Sequence, residues 1–286
     1  MLRGAGHLTD HLVCPVHRWT YNTEGQLIGA PHFDQTPCLN LERQPLQNWN
    51  GLLFAGPRSA QNDLAGMRVA KYFDATGYRL DHVEMHECNY NWKTFIEVYL
   101  EDYHVEPFHP GLGSFVTCDD LEWQFADWYL VQKVGITRLQ RLGSEAFRRW
   151  SKTLLDYNSH QGEGARPAQG ALWLLYFPNV MVEWYPQVLV VSTLFPQGVD
   201  KTMNVVEFYY PEEVINFERD LVEAQQAAYM ETAVEDDNIT ERMDCGRFAL
   251  CREGRDELGP YQSPMEDGMK HFHEFYRRIM GSALAE

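Results

Sequence analysis

Residues 91–110 read NWKTFIEVYLEDYHVEPFHP. Trp92, Phe95, Ile96, Tyr99 and Tyr103 recur at helical spacing, which predicts a helix over 91–103. Pro107 and Pro110 follow, and proline disfavours helix at its own position and in the residue before it. His104 and His109 flank the first of them. Residues five apart do not share a face on a straight helix, so the two imidazoles converge only if the helix ends or unwinds between them. Pro107 is expected to supply that interruption. Two neutral imidazoles held together suit iron, zinc, copper or nickel. One added carboxylate, with open positions left over, makes the triad of non-haem ferrous sites.

The carboxylate is expected far along the chain. Residues 234–241 read VEDDNITE, and the adjacent acids Glu235, Asp236 and Asp237 leave the choice open on spacing alone. The plain alternative for such a run is a solvated helix or loop face. Between the two segments, 173–211 is dominated by β-branched and aromatic residues (WLLYFPNVMVEWYP, VLVVSTLFP, TMNVVEFYYP), which predicts strands. Helical patterns follow over 212–232 and 265–280. At the other end, residues 1–60 carry turn signals, NTEG (22–25) and GAP (29–31), between the short apolar runs Leu12-Val13 and Leu52-Leu53-Phe54. Small antiparallel strands are expected there. A small β piece, a helix, an antiparallel sheet and closing helices make an α+β pattern.

The chain has 286 residues, 44% of them hydrophobic and 13% aromatic, a globular composition large enough to bury a sizeable core. The formal net charge of -17 repels phosphate backbones and anionic lipid, so neither nucleic acid nor a membrane surface is expected as a partner. The most apolar stretch, 173–195, is broken by Pro178, Glu183 and Pro186 and reads as strands, not as a membrane span. The opening MLRGAGHLTDH lacks a signal-peptide core, and the six cysteines show no disulfide-framework spacing, so a reduced, cytoplasmic chain is expected. Cys245 and Cys251 are too far apart for a C-x-x-C site and are expected to pack. His82 and His86 form an H-x3-H pair in a strand-like segment and are weak ligand candidates. His271 and His273 face apart on a helix and read as surface residues.

Residues 14–21 read CPVHRWTY. A thiolate and an imidazole three apart, in a turn that begins with proline, are half of what a [2Fe–2S] cluster needs when histidines replace two of its cysteines. A bare C-x2-H is weak; the whole string, followed by a turn and a glycine, resembles the second ligand loop of Rieske domains. The segment N-W-K followed by E-x-Y-L-E-D-Y-H-x-x-P-x-H-P resembles the catalytic-domain signature of Rieske-type non-haem iron oxygenase large subunits. E-D-x-x-I-x-E, with Gly246 after it, resembles that family's distal ligand segment. The likeness is specific at 14–21 and 91–110, moderate at 235–246, and elsewhere rests on the order of elements.

The resemblance implies a mononuclear ferrous iron held by His104, His109 and Asp236, and a Rieske [2Fe–2S] cluster bound in part by Cys14 and His17. It places Glu101, three before His104, where the family has the acid that links the two metal sites between subunits; Asp102 is the second choice. The family's other Cys-x-His loop lies upstream of the one seen here, and no Cys-x-His occurs in this chain. Two expectations follow: either the protein begins upstream of Met1, an N-terminal truncation, or this chain holds no stable cluster. The implied fold is a partial all-β Rieske domain over 1–60 and, over 61–286, a catalytic domain of helix-grip type with a curved antiparallel sheet. The implied reaction is mono- or dioxygenation of a small organic substrate by O2, with electrons from a ferredoxin or flavin reductase passing around a homotrimer. Aromatics at Trp123, Phe125, Trp128, Trp173, Tyr176, Phe177, Trp184 and Tyr185 suggest an apolar pocket for an aromatic or aliphatic substrate, in the manner of aromatic hydrocarbon catabolism. Two alternatives stand beside this reading: a non-catalytic fragment or binding module, and a zinc hydrolase built on the same His/His/Asp set.

Overall fold

The computed structural model describes residues 9–136, 143–160, 170–255 and 259–281. The glycine turn expected at Gly4 and Gly6 lies outside them. The chain divides into two compact units, one of residues 1–49 and 53–59, the other of 50–52 and 60–286.

In the first unit β1 (His11–Val13), β2 (Thr20–Asn22) and β3 (Leu27–Gly29) form an antiparallel three-stranded sheet. The NTEG turn joins β2 to β3: the Asn22 carboxamide oxygen accepts from the backbone N–H groups of Glu24 (3.1 Å) and Gln26 (2.8 Å), and Gly25 takes φ +78°, which glycine adopts at no steric cost. Two further strands, β4 (Leu46–Trp49) and β5 (Leu52–Ala55), pair with each other.

After a short helix, α1 (Ala60–Asp63), the second unit runs β6 (Tyr78–Cys88), α2 (Trp92–Tyr99), α3 (Val105–Phe108), α4 (Leu112–Phe115), β7 (Val116–Phe125), β8 (Tyr129–Ile136), α5 (Glu145–His160), β9 (Ala171–Tyr176), β10 (Val180–Tyr185), β11 (Val188–Pro196), β12 (Thr202–Pro211), α6 (Glu212–Phe217), α7 (Arg219–Arg252) and α8 (Asp267–Met280). This is the α+β order. The seven strands β6 to β12 form one curved sheet in the order β6-β12-β11-β10-β9-β8-β7, antiparallel throughout. Along β12 every second residue is buried, the sign of a strand with one covered face, whereas β9, between β10 and β8, is buried at all six positions. The first half of α7 lies on the covered face, burying Leu221, Val222, Ala224 and Ala228 with Val206, Phe208 and Tyr210 of β12.

Two helix expectations are corrected. The helix expected over 91–103 ends at Tyr99, and the chain between it and α3 is irregular; Pro107 lies inside α3, in a first turn, where no intrahelical bond needs its N–H. The helix is therefore interrupted before His104, and a separate helical turn, α3, lies between the two histidines. The helix expected over 212–232 is two: Glu218 leaves the helical region (φ −123°, ψ 50°), and α7 then runs on for 34 residues, through the acidic run, with no proline and only Gly246 to weaken it. Among the described residues no helix is long and apolar enough to cross a membrane.

Candidate metal centre

The site is made where the irregular segment after α2 meets the middle of α7. Asn91 caps α2, its side chain accepting from the Lys93 N–H, and sets the helix's direction. Asp244 on α7 clasps the start of α2: its carboxylate accepts from the Thr94 hydroxyl (2.8 Å) and from the Asn91 N–H (3.2 Å). His104 then stands as the cap residue before α3 and His109 as the cap residue after it, so one short helical turn brings their rings to 5.1 Å between centroids, inclined at 68°.

Asp236 completes the group. Its Oδ1 lies 2.9 Å from His109 Nε2 and 3.5 Å from His104 Nε2, and the three side chains offer donor atoms all within 4.8 Å of one another. The opposite edge of each ring is held by a glutamate. His104 Nδ1 donates to Glu101, which also accepts from the His104 backbone N–H (3.1 Å), and His109 Nδ1 donates to Glu235 at 2.7 Å. A carboxylate on each Nδ1 leaves the Nε2 lone pairs free for a metal and fixes the ring orientations. The three acids of the run thus divide by their angle on α7. Glu235 reaches His109, Asp236 faces both rings, and Asp237 turns to the Tyr90 hydroxyl (2.7 Å) and His86 Nε2 (2.9 Å). Burial opposes protonation of His104, but the Asp236 and Glu101 carboxylates outweigh it and raise its pKa to about 9. His109 is raised in the same way, against burial, by Asp236 and Glu235. The centre attracts positive charge, and a divalent ion satisfies the same carboxylates without protons. Two imidazoles and one carboxylate with one side open fit ferrous iron.

Asp102, the second choice to Glu101, does not touch the histidines. It is buried, accepts from Gln132 on one oxygen and leaves the other without a hydrogen-bond partner; burial raises its pKa to about 7. At the other metal-binding motif, β1 and β2 are joined by a turn in which Cys14 N–H donates to the Trp19 carbonyl (2.8 Å) and Arg18 adopts φ +60°. Cys14 is half-buried and His17 exposed. Together they fit two of the four protein ligands of a [2Fe–2S] cluster.

Several expected placements are corrected. Of the eight aromatics expected along the pocket, only Trp173 and Tyr185 line the cavity at the centre. Trp123 stacks on Phe125 and donates to the Pro264 carbonyl (2.9 Å), Trp128 and Phe177 pack on Phe275, Trp184 on Tyr72, and Tyr176 donates to Asp63 (2.8 Å). Sheet alternation, which strand composition does not specify, sends them elsewhere. Cys245 and Cys251 are exposed, because they fall on the outer side of the long α7. His271 and His273 do face apart but are half-buried and bonded, to the Ala126 carbonyl (3.0 Å) and to Glu97 (2.6 Å). His82 and His86 have different partners, Glu84 and Asp237.

The cavity above the centre also holds residues that sequence reasoning passed over: Glu183, Tyr229, Asn204 and Gln225. Its described lining includes four acids, Glu101, Asp102, Glu183 and Asp236, and no lysine or arginine. The available signal was Glu183 itself, one acid inside the apolar run VMVEWY.

Residues 73–282 match the family model described as ring hydroxylating alpha subunit (catalytic domain), and residues 1–41 the Rieske [2Fe-2S] domain. Putrescine 2-hydroxylase of Ralstonia nicotianae is 63% identical over 281 residues, covering 98% of this chain and 76% of its own length. Putrescine 2-hydroxylase of Bordetella bronchiseptica is 61% identical over 280 residues, covering 96% of this chain; this chain spans 64% of that relative. Among solved structures, a quaternary ammonium Rieske monooxygenase, studied for carnitine oxidation and inter-subunit electron transfer, superposes with a TM-score of 0.71 at 19% identity, over 97% of this chain and 74% of the other. Neither of these relatives is named for an aromatic substrate, so they lend the expectation of aromatic hydrocarbon catabolism no support. Family model, relatives and fold agree: the chain belongs to the alpha subunits of the Rieske-type oxygenases, a family of oxidoreductases that use a [2Fe–2S] cluster and a mononuclear iron.

Proposed function

We propose that this chain carries the catalytic centre of a monooxygenase that hydroxylates a short aliphatic amine, with putrescine as the first candidate. The overall reaction is R–H + O2 + 2 electrons + 2 protons giving R–OH + H2O. The observation that carries the reading is the convergence of His104, His109 and Asp236 beneath a cavity whose described walls hold four acids and no lysine or arginine. Such a pocket suits a cationic substrate and repels an anionic one. The identity to two putrescine 2-hydroxylases supports the same choice.

Ferrous iron, when bound, supplies the point at which O2 is reduced. His104, His109 and Asp236 would hold it and leave one side open. Glu101 and Glu235 keep the Nδ1 protons in place, so both rings present the neutral Nε2. Trp173, Phe147 and Trp150 wall the cavity against bulk water. In the wider assembly we assign residues 1–60 to a partial Rieske domain and 61–286 to the catalytic domain. Glu101 is the link to a neighbouring subunit's cluster in a homotrimer, and a ferredoxin or flavin reductase is the electron donor.

The test avoids the electron supply. Iron-loaded full chain is given putrescine and hydrogen peroxide, which provides oxygen and electrons together (R–H + H2O2 giving R–OH + H2O). The expected product is putrescine heavier by one oxygen atom, detected by mass spectrometry and absent with His104→Ala. Product formed equally by the variant would sink the proposed centre. Hydroxylation of an aromatic hydrocarbon in place of any amine would sink the substrate class.

A further inference from the structure

Glu183 lies at the middle of β10, with Val182 and Trp184 on either side, and is 5% exposed. Its two oxygens each accept one hydrogen bond, from the Tyr185 hydroxyl (2.8 Å) and from the Tyr229 hydroxyl (3.0 Å). Those phenols are themselves held, Tyr185 by the Trp173 indole N–H (2.9 Å) and Tyr229 beside the Ser192 hydroxyl (3.2 Å). Among the described residues no lysine, arginine or histidine pairs with Glu183. A buried carboxylate with no cation beside it is costly, whereas a glutamine would carry no charge, its one carboxamide oxygen accepting one of the two hydrogen bonds and its NH2 replacing the other acceptor. The cavity has other acceptors to spare: Asn204, 1% exposed, and Asp102 each line it with an oxygen that has no partner. Two groups able to donate are also unpartnered there, Trp150 Nε1 and the Tyr99 hydroxyl, which can accept as well. The surplus is of acceptors, as a ligand rich in N–H donors requires.

Position on α7 gives the scale. Tyr229, Thr232, Ala233, Asp236 and Thr240 line the cavity at spacings of three, four and seven, one face of the helix. Tyr229 is two turns before Asp236, roughly 10 Å along the axis. The Glu183 carboxylate, bonded to Tyr229, thus lines the same cavity as Asp236, from the other end of this helix face.

We propose that Glu183, presented by Tyr185 and Tyr229, is the anchor for the ammonium group of the substrate remote from the reacting carbon, and so sets specificity for primary aliphatic amines over neutral analogues. An ammonium carries three N–H donors, and each Glu183 oxygen has a further lone pair to offer. Burial pushes the Glu183 carboxyl up to about 7, against the two phenol donors, and an ammonium beside it favours the ionised form. The proposal rests on the amine reading above.

Binding of putrescine, butylamine and 1,4-butanediol to the iron-loaded full chain, measured by titration calorimetry, tests both separately. Wild type is expected to bind putrescine and butylamine and to ignore the diol. Glu183→Gln is expected to bind both amines about a hundredfold more weakly, as for loss of a buried charge partner, with iron content unchanged. Tyr229→Phe, which removes one donor and keeps the ring, is the second variant and is expected to lose about fivefold. Amine affinity unchanged in Glu183→Gln, in a wild type that still prefers amines to the diol, would overturn the anchor and leave the amine reading standing. A wild type that binds neither amine would overturn both.

Discussion

Asp236 meets both histidines because of its angle on α7, not because it is the most acidic point of its run. Neighbours on a helix diverge by about 100°, so of three consecutive acids one faces the centre and the others are turned to either side. Glu235 finds His109 Nδ1 and Asp237 finds Tyr90 and His86. This gives graded expectations for iron retained after dialysis. His109→Ala should abolish it, and Glu235→Gln should weaken it by roughly ten- to a hundredfold, the usual cost of losing a carboxylate behind a metal-binding histidine. Iron held as tightly by Glu235→Gln would remove that role. Glu183 has a stability signature too. Burial raises its folded pKa from 4.5 to about 7, so the native state holds the proton more tightly than the unfolded chain. Stability therefore falls as pH rises from about 4.5 to 7 and stays lowered above that. Tyr99, Tyr185, Tyr229 and the Asp236 carboxylate are the titratable groups facing it, and Asp236 adds to the rise. Glu183→Gln should then melt closer to, or above, wild type at pH 8 and fall behind at pH 5. A pH-independent difference would show that Glu183 is not the group titrating.

At the scale of elements, the centre depends on the register between α2 and α7. Asp244, 6% exposed, ties the start of α2 to α7 through Thr94 and the Asn91 N–H, and Arg247 one turn later pairs with Glu97. Asp244 and Asp236 are eight residues apart, so a slip of α7 at the clasp moves the carboxylate away from the histidines. Asp244→Ala leaves the buried Thr94 hydroxyl and the half-buried Asn91 N–H without this partner and is expected to cost about 1–3 kcal/mol of stability. It should also lower iron affinity, although it touches neither ligand. Normal iron affinity in a destabilised variant would confine Asp244 to packing. The short α3 has a comparable part: its single turn, with proline where no intrahelical N–H is needed, sets the distance between His104 and His109.

Among the described residues, the family's two metal-binding motifs differ in completeness, one offering a full set and the other half. Cys14 and His17 offer two ligands where a [2Fe–2S] cluster takes four, while His104, His109 and Asp236 offer the full facial triad. The chain purified without air and supplied with ferrous iron should therefore contain about one iron and no acid-labile sulfide. Two further irons with matching sulfide would show that the missing ligands are met from elsewhere, and no iron at all would remove the centre. The charge of -17 belongs to this scale as well: it disfavours anionic partners and draws small cations toward a cavity already rich in acids.

The local devices were legible in the sequence, because each depends on residue type at short spacing. Such were the Asn-Gly turn before β3, the Cys-Pro-x-His turn, the strand-rich run of 173–211, and the pair His104 and His109 beside a helix end. The family resemblance, through the segment 235–246, implied Asp236 as well. What the tertiary structure alone decided was everything that depends on angle and face over long separations. The choice among Glu235, Asp236 and Asp237 needed the phase of α7, and the length of α7 itself came from packing against the sheet more than from local signals. The wall of the cavity was hidden for the same reason: alternation along a strand sends neighbours to opposite faces, and which face is covered depends on a helix that begins more than thirty residues after β10. Glu183 could be seen in the sequence as an acid among apolar residues, but only the folded sheet places it, buried and without a cation, over a metal centre.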